Sequence, residues 1–248
     1  DQPRSRGLGD VYKRQFFNGA EFMVNKEQLS VLSMPVISQW ATPWHGLEAV
    51  LNIWNVCLGI AVFFLARVLA ILYFMNNIDD ESIRSQSWNR LLPESISFLL
   101  FFLAFLAHWL IADGFAVNPD TQEIFMQPYK YALNLLEMPY VTSILLVGVI
   151  LVLWGIGKTY LNPSYREGIW FSGTGTVLTV LALLLCAGWN HTAYYPSITD
   201  LQSSLTLQNS CSSPFTLKVM SYVSILIPFV LAYIFYAWRA IDLKPGKK

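Results

Sequence analysis

The chain has 248 residues, of which 54% are hydrophobic and only 13% are charged. Soluble domains carry about 25% charged residues, so this composition excludes a disordered chain and an ordinary water-soluble enzyme. The 16 basic side chains balance the 16 acidic ones, so the protein has no net charge that would attract a nucleic acid. The apolar residues lie in long blocks, which indicates that a lipid bilayer surrounds the protein.

The first fifteen residues differ in composition from the rest of the chain. They have no apolar segment of the kind that forms a signal peptide. Their charged side chains are Asp1, Arg4, Arg6, Asp10, Lys13 and Arg14. We interpret residues 1–15 as a non-native, adaptor-like segment and residues 16–248 as a membrane domain, so we expect the true start of the protein to be missing.

Five apolar segments are long enough to cross a membrane, because a bilayer core about 30 Å thick needs roughly 20 residues of α-helix. These segments are about 47–75, 94–113, 138–160, 169–189 and 217–238. The predicted fold class is therefore all-α, a polytopic membrane helical bundle with five transmembrane helices. The shorter segment 29–40 predicts an interfacial or re-entrant element.

Three proline-containing pairs predict helix starts. Proline is favoured in the first turn of a helix, and an acidic side chain there interacts well with the positive end of the helix dipole. The pairs are Pro93-Glu94, Met138-Pro139 and Ser213-Pro214.

The distribution of basic residues predicts the orientation in the membrane. Cytoplasmic loops and tails are enriched in lysine and arginine. The tail after Trp238 contains Arg239, Lys244, Lys247 and Lys248, whereas residues 190–214 contain no lysine or arginine. Because the tail after Trp238 is the basic segment, we expect the C-terminus to lie in the cytoplasm and residues 190–214 to lie outside.

A polar stripe marks the first predicted span. Glu48, Asn52, Asn55 and Gly59 recur at helical spacing and would occupy one arc of about 60° on a continuous helix. Hydrocarbon cannot satisfy these polar groups, so we expect the stripe to face protein or water. It would act either as polar contact between helices or as a path for protons or for the headgroup of a quinone.

Two further ionisable residues lie within predicted spans. Arg67 would either extend its side chain to the cytoplasmic interface or form an ion pair with a partner helix or a cofactor carboxylate. His108 would ligate haem iron, relay protons or pack as a hydrogen-bonded histidine.

No other motif indicates catalysis or metal binding. The cysteines at 57, 186 and 211 form no CxxC pair. The segment Ser172-Gly-Thr-Gly-Thr176 lacks the Gly-Lys-Ser/Thr of a phosphate loop, so we interpret it as a small-residue surface for helix packing. The sequence therefore assigns no catalytic, cofactor-binding or metal-binding residue to this chain.

The segment before the last span resembles subunit II of the cytochrome bd-type quinol oxidases. The resemblance extends over nearly all of residues 16–248 and includes the stretches 16–19 and 45–48. Its most specific part is a motif composed of Pro196, Ser197, Ser204, Leu205, Thr206, Ser212, Ser213, Thr216 and Leu217.

The resemblance implies a supporting subunit of a quinol:oxygen oxidoreductase complex in a respiratory chain. The complex would oxidise quinol from the quinone pool and reduce oxygen to water in the bacterial inner (cytoplasmic) membrane. Subunit I would be the partner and would hold haems b558, b595 and d, so that this chain binds no cofactor and is not catalytic alone. The resemblance also implies about three further spans before residue 16.

Two other functions remain open from the sequence. The first is a half-domain of a secondary membrane transporter, which discontinuous helices with Gly or Pro breaks near mid-span would favour. The second is a purely structural assembly factor, in which the polar stripe has no role beyond helix packing.

Overall fold

The computed structural model describes residues 19–24 and 38–242. It contains five helices long and apolar enough to span a membrane, which confirms the predicted fold class. The elements are β1 Phe22–Val24, β2 Ser38–Trp40, α1 Ile53–Asn77, α2 Glu81–Ile111, β3 Gly114–Val117, β4 Ile124–Gln127, α3 Lys130–Glu137, α4 Pro139–Leu161, α5 Gly168–Gly188 and α6 Pro214–Asp242. Two compact units are distinguished, one ending at Leu207 and the other beginning at Gln208.

The first unit is built from two antiparallel helix hairpins. Helix α1 packs along α2, and α4 packs along α5, whereas contacts between the two pairs are fewer. The short connections 78–80 and 162–167 lie together at one end, here called the turn end. There Arg166 forms an ion pair with Asp79 at 2.7 Å, and the Trp88 indole N–H donates to the Tyr160 carbonyl at 3.0 Å.

Small residues allow the close approach of α4 and α5. A Cβ atom added to Gly175 would lie 2.5 Å from the Gly148 carbonyl oxygen, and one added to Gly155 would lie 2.6 Å from the Gly168 carbonyl oxygen. Larger side chains would force the two backbones apart. The interpretation of residues 172–176 as a helix-packing surface is therefore confirmed.

The opposite end, here called the loop end, has its own secondary structure. Strands β3 and β4 form an antiparallel hairpin between α2 and α3, and Ala116 of this hairpin bridges to Thr192. The Trp109 ring at the end of α2 stacks on Tyr131 of α3 with 4.5 Å between centroids. These contacts join the hairpin, α3 and the segment after α5 into one layer over the helix ends.

The first two predicted spans begin at the wrong residues. Leu47–Val50 form a separate 3-10 helix, and α1 starts at Ile53 because the Asn52 side chain accepts a hydrogen bond from the Trp54 N–H at 2.9 Å. Helix α2 starts thirteen residues before the predicted Glu94, at Glu81. The Asp80 carboxylate caps it by accepting from the Ile83 N–H at 3.0 Å.

Pro93 is therefore an internal residue of α2 and does not start the helix. It removes the N–H that would have bonded the carbonyl of Asn89, yet the helix continues to Ile111, with Leu91 and Glu94 buried on either side of the proline. The starts at Pro139 and Pro214 are confirmed.

Two sequence interpretations fall wholly or mostly outside the described residues. The adaptor-like segment 1–15 does so completely and stays a prediction. Of the segment 29–40, only residues 38–40 are described, and they form β2, which pairs with β1.

Candidate functional site

The predicted polar stripe is not a single helical arc. Glu48 belongs to the 3-10 helix, Asn52 is the cap of α1, and only Asn55 and Gly59 lie within α1. The prediction of a continuous helix from residue 47 was wrong because the Asn52 side chain replaces the missing backbone partner at the helix start. The break at residues 51–52 changes the direction in which Glu48 projects.

Three residues of the stripe nevertheless line one small cavity at the loop end. Its volume is about 170 Å³, and Glu21 and Ile198 also contribute to its wall together with Glu48, Asn52 and Asn55. Asn55 is only 2% exposed and its amide donates to the Ala49 carbonyl at 3.0 Å. Both carboxylate oxygens of Glu48 are buried and make no hydrogen bond with any described residue. The arrangement supplies polar groups to a space that could hold several water molecules.

Arg67 forms an ion pair across the α1–α2 interface. Its Nε donates to Glu94 Oε2 at 2.8 Å, and its Nη2 contacts Glu94 Oε1. The Glu94 side chain is 8% exposed and that of Arg67 is 45% exposed. The sequence left two alternatives for Arg67, extension to the cytoplasmic interface or an ion pair with a partner helix. The structure shows the ion pair, because the guanidinium points across the helix interface to Glu94.

Glu94 itself was misassigned by the sequence analysis. We expected it at a helix start beside the positive dipole end, but it lies inside α2 and is buried. The sequence did contain an indication of the Arg67–Glu94 pair, because the two residues are separated from the short 78–80 connection by a similar number of residues. In an antiparallel helix hairpin, such residues face one another, and opposite charges at those positions indicate a pair.

His108 packs against an aromatic ring of the neighbouring helix. Its imidazole stacks on the Trp54 indole, with 3.9 Å between centroids and 6° between planes. His45 and His191 are exposed loop residues with left-handed backbone conformations, φ 49° and 53°. No group of three His, Cys, Asp or Glu residues that could hold a metal ion occurs in the part of the chain that the structure describes. His108 thus contacts α1 through its ring, and the other two histidines lie in separate loops.

The first half of the family-like motif fixes the loop end to strand β1. Ser197 donates to the Phe22 carbonyl at 2.5 Å and accepts from the Asp200 N–H at 3.2 Å. The Ser204 hydroxyl accepts from the Ser197 N–H at 2.9 Å. Pro196, Ser204 and Thr206 are buried, whereas Leu205 is half-buried and its N–H donates to Tyr195. The serines and the proline thus have a structural role that the sequence pattern alone did not reveal.

The second half of the motif belongs to the second unit and caps α6. The Ser213 hydroxyl accepts from the Thr216 N–H at 3.3 Å and lies 3.0 Å from the Thr216 hydroxyl. The Ser213 carbonyl accepts from the Leu217 N–H at 3.0 Å. A Ser side chain bonded to the N–H three residues later is the arrangement of an N-cap. Ser212 directly precedes this cap.

A buried polar cluster at the loop end escaped the sequence analysis. Asn134 of α3 is fully buried and donates to the Cys186 carbonyl and to the Thr192 hydroxyl, both at 2.9 Å. Asn190 donates to the Asn134 side-chain oxygen at 3.1 Å. This helix lies between the second and third predicted spans, in a segment to which the sequence analysis assigned no element although its residues are amphipathic. The cluster joins α3 to the end of α5.

Lys130 extends the same cluster. It is 6% exposed, and its ammonium donates to the Asn190 carbonyl at 3.1 Å. Burial lowers the pKa of Lys130 below its ordinary value, and the nearby Glu137 carboxylate partly opposes this change.

A large apolar cavity lies between the two helix hairpins. Its volume is about 900 Å³, and all four long helices of the first unit line it. Representative wall residues are Ala61 of α1, Phe98 of α2, Val152 of α4 and Thr179 of α5. A cavity of this size and lining suits an apolar group and offers few polar contacts.

Comparison with known proteins supplies the family. The family model described as cytochrome bd terminal oxidase subunit II matches residues 15–241. Three curated relatives are each 30% identical over 120 residues, which is 48% of this chain and 30% of the relative. They are the cytochrome bd-I ubiquinol oxidase subunits 2 of Escherichia coli strains K12, O6:H1 and O157:H7. The matched part thus spans less than a third of those relatives, whereas the family model covers most of this chain and includes all five spanning helices. The chain is a multi-pass membrane protein that belongs to the cytochrome bd terminal oxidase subunit II family.

Proposed function

We propose that this chain is a supporting subunit of a bd-type terminal oxidase, a complex that oxidises quinol and reduces oxygen to water in a respiratory chain. The observation that carries the proposal is the family match over residues 15–241. The five apolar helices within that range support it, because a quinol substrate dissolves in the bilayer.

In this complex subunit I is the partner and holds haems b558, b595 and d. The arrangement of this chain's histidines supports that division, since His108 is stacked on Trp54 and does not face a second helical histidine. The chain's own residues act as a scaffold: small residues hold α4 to α5, the Arg67–Glu94 pair holds α1 to α2, and the polar cluster around Asn134 holds α3 to α5. The chain is therefore not catalytic alone.

The proposed location is the bacterial cytoplasmic membrane, with the C-terminus on the cytoplasmic side. Four basic residues lie at or near the turn end of the first unit: Arg84, Arg90, Lys158 and Arg166. This concentration of basic residues at one end supports a cytoplasmic turn end.

A reporter fused after Lys248 is expected to be active only in a form that works in the cytoplasm. Activity of an export-dependent reporter at the same position would contradict the orientation.

The transporter alternative receives no support from the described residues. Discontinuous helices would have favoured it, but α2 and α6 continue through Pro93 and Pro228.

Purification with the cognate haem subunit tests the proposed function. The full chain, tagged at its C-terminus, would be co-expressed with subunit I from the same source in a host without its own quinol oxidases. We expect subunit I, a haem absorption spectrum and quinol oxidase activity to purify with the tagged chain. The control expresses the tagged chain alone, and we expect no stoichiometric Soret band from it. A Soret band in the control would contradict the assignment of the haems, and failure of subunit I to copurify would contradict the proposed function.

A further inference from the structure

The Glu48 carboxylate is buried at the loop end with no described partner for its charge. Both of its oxygens are shielded from solvent, and none of the residues that the structure describes donates a hydrogen bond to either of them. A buried carboxylate is costly when nothing replaces the hydration that it lost on folding. Glu48 therefore needs a neighbour that supplies positive charge.

Glu48 projects into the small cavity of about 170 Å³, whose wall is rich in oxygen atoms. Glu21 supplies a second carboxyl group to this wall, and Asn52 and Asn55 supply side-chain amides. The Asn55 amide group donates to the Ala49 carbonyl at 3.0 Å and not to Glu48. No lysine or arginine occurs among the described residues of the wall. The cavity thus offers ligands for a cation and no side-chain cation of its own.

The loop end as a whole has an excess of acidic side chains. Its one lysine among the described residues of the first unit is Lys130, which is buried and donates to the Asn190 carbonyl. Charges of one sign around a cleft in a low-dielectric protein raise the local concentration of counter-ions. The field at this end therefore favours a cation in the cavity. The acidic residues are Glu21, Glu48, Asp113, Asp120, Glu123, Glu137 and Asp200.

The chemistry of the wall indicates which cation fits. Carboxylate and amide oxygens suit hard cations such as Ca²⁺ and Mg²⁺, whereas transition metals prefer imidazole and thiolate ligands. Mg²⁺ demands a near-ideal octahedron, but Ca²⁺ accepts about six to eight oxygens in irregular geometry, with water among them. The cavity has room for an ion together with several water molecules. Water alone would leave the charges of both carboxylates unbalanced, whereas one divalent ion balances them.

We propose that the loop-end cavity binds a calcium ion through the carboxylates of Glu21 and Glu48, with amide oxygens and water completing the coordination. The ion joins the start of α1 to the segment 19–21 and to Ile198, because these three parts of the first unit form the wall. The inference goes beyond the proposed function and uses only its orientation, which places the loop end outside the cytoplasm. Calcium sites of extracellular modules have dissociation constants of about 0.1–1 mM, and we expect a value in that range.

Calcium titration of the purified chain tests the proposal. The tagged full chain, with the subunits that accompany it, would be freed of divalent ions with a chelator in detergent. Calorimetric titration and thermal unfolding would then be measured with CaCl₂ and with NaCl of matched ionic strength. We expect calcium alone to bind and to raise the melting temperature, with half of the shift at about 0.1–1 mM. No response to calcium, or an equal response to NaCl, would overturn the inference.

Three acid-to-amide variants separate a bound ion from general screening of surface charge. We expect Glu48→Gln to raise the dissociation constant for calcium by about tenfold or more, because it removes a charged ligand. Glu21→Gln should also weaken binding, and it keeps the test available if Glu48→Gln does not fold. Glu123→Gln makes the same charge change at an exposed position of the loop end and should stay within about twofold of wild type. Equal losses in Glu48→Gln and Glu123→Gln would overturn the inference.

Samples in chelator distinguish a missing ion from a missing side-chain partner. Without calcium the wild type keeps an uncompensated buried charge, so we expect Glu48→Gln to melt at a higher temperature than wild type. If a basic side chain outside the described residues paired with Glu48, the same substitution would lower the melting temperature, and the inference would be overturned. These measurements report the ion and not haem or quinol, so their failure leaves the proposed function standing. Failure of a haem subunit to copurify leaves the inference standing.

Discussion

The hydroxyl of Ser172 on α5 donates a hydrogen bond to the Val152 carbonyl on α4, with 3.2 Å between the two oxygens. A side chain this short can reach the neighbouring backbone only because glycines lie beside it on both helices. Gly155 faces Ser172 on α4, and Gly175 follows one turn later on α5. The two helices are thus held by backbone proximity as much as by side-chain packing.

This close approach predicts a sharp difference between two glycines of the same helix. A Cβ atom at Gly175 would lie 2.5 Å from the Gly148 carbonyl oxygen, whereas one at Gly173 would meet nothing within 4 Å. We expect Gly175→Ala to lower the free energy of unfolding by about 1–3 kcal/mol, because the backbones must separate. Gly173→Ala is the matched control. Thermal unfolding of both variants in detergent measures the difference, and equal melting temperatures would contradict the packing described here.

The buried amide of Asn134 predicts a second large effect. Asn134→Ala removes the hydrogen bonds that this amide donates to the Cys186 carbonyl and the Thr192 hydroxyl and the one that it accepts from Asn190, of which the Asn190 amide keeps a bond to Glu137 and the Thr192 hydroxyl keeps one to the Asn190 carbonyl. Each buried group left unsatisfied costs about 1–3 kcal/mol, so we expect a pronounced loss of stability. Asn89→Ala, at an exposed position of α2, is the control. Unfolding in detergent compares them, and a loss no greater than that of the control would show that water replaces the lost bonds.

The spans were predictable from sequence because apolar length alone determines which segments cross a membrane. The starts at Pro139 and Pro214 followed from the local preference of proline for the first helical turn. The same rule failed at Pro93, where α2 continues through the proline and buries Leu91 and Glu94 on either side of it. Local rules do not include such tertiary packing.

The candidate site was less predictable than the fold. Arg67 and Asn55 were identified as groups that needed partners, but their partners were not. Glu94 and Ala49 become neighbours only through the helix hairpin and the 3-10 turn. The cluster of Lys130 and Asn134 lies in a short amphipathic helix, but the contacts of these two residues with Asn190, Cys186 and Thr192 arise only when distant parts of the chain fold together.

Mutation of the family-like motif is expected to loosen the structure locally, at strand β1, an effect that a measurement of global unfolding would largely miss. Ser197→Ala removes the hydrogen bond to the Phe22 carbonyl and the one accepted from the Asp200 N–H. We expect faster hydrogen exchange of the amides in Phe22–Val24, because β1 loses one attachment to the loop end. Ser212→Ala, at an exposed position before α6, should leave that exchange unchanged. Protection of β1 identical in both variants would mean that its other contacts with the loop end suffice.

The last prediction concerns the pH dependence of stability near Lys130. Burial lowers the pKa of this ammonium in the folded protein, whereas the unfolded chain retains the ordinary value of about 10.5. Between the folded and the unfolded pKa the unfolded state binds more protons, so the free energy of unfolding increases as the pH rises through that window. We expect Lys130→Met to remove this contribution, and the exposed Lys218→Met to retain it. Melting temperatures in detergent at pH values below about 10.5 measure the slope, and the difference between wild type and Lys130→Met reports the lysine because the other titrating groups are common to both proteins. A slope that is the same in wild type and Lys130→Met would show that the lysine is solvated in solution.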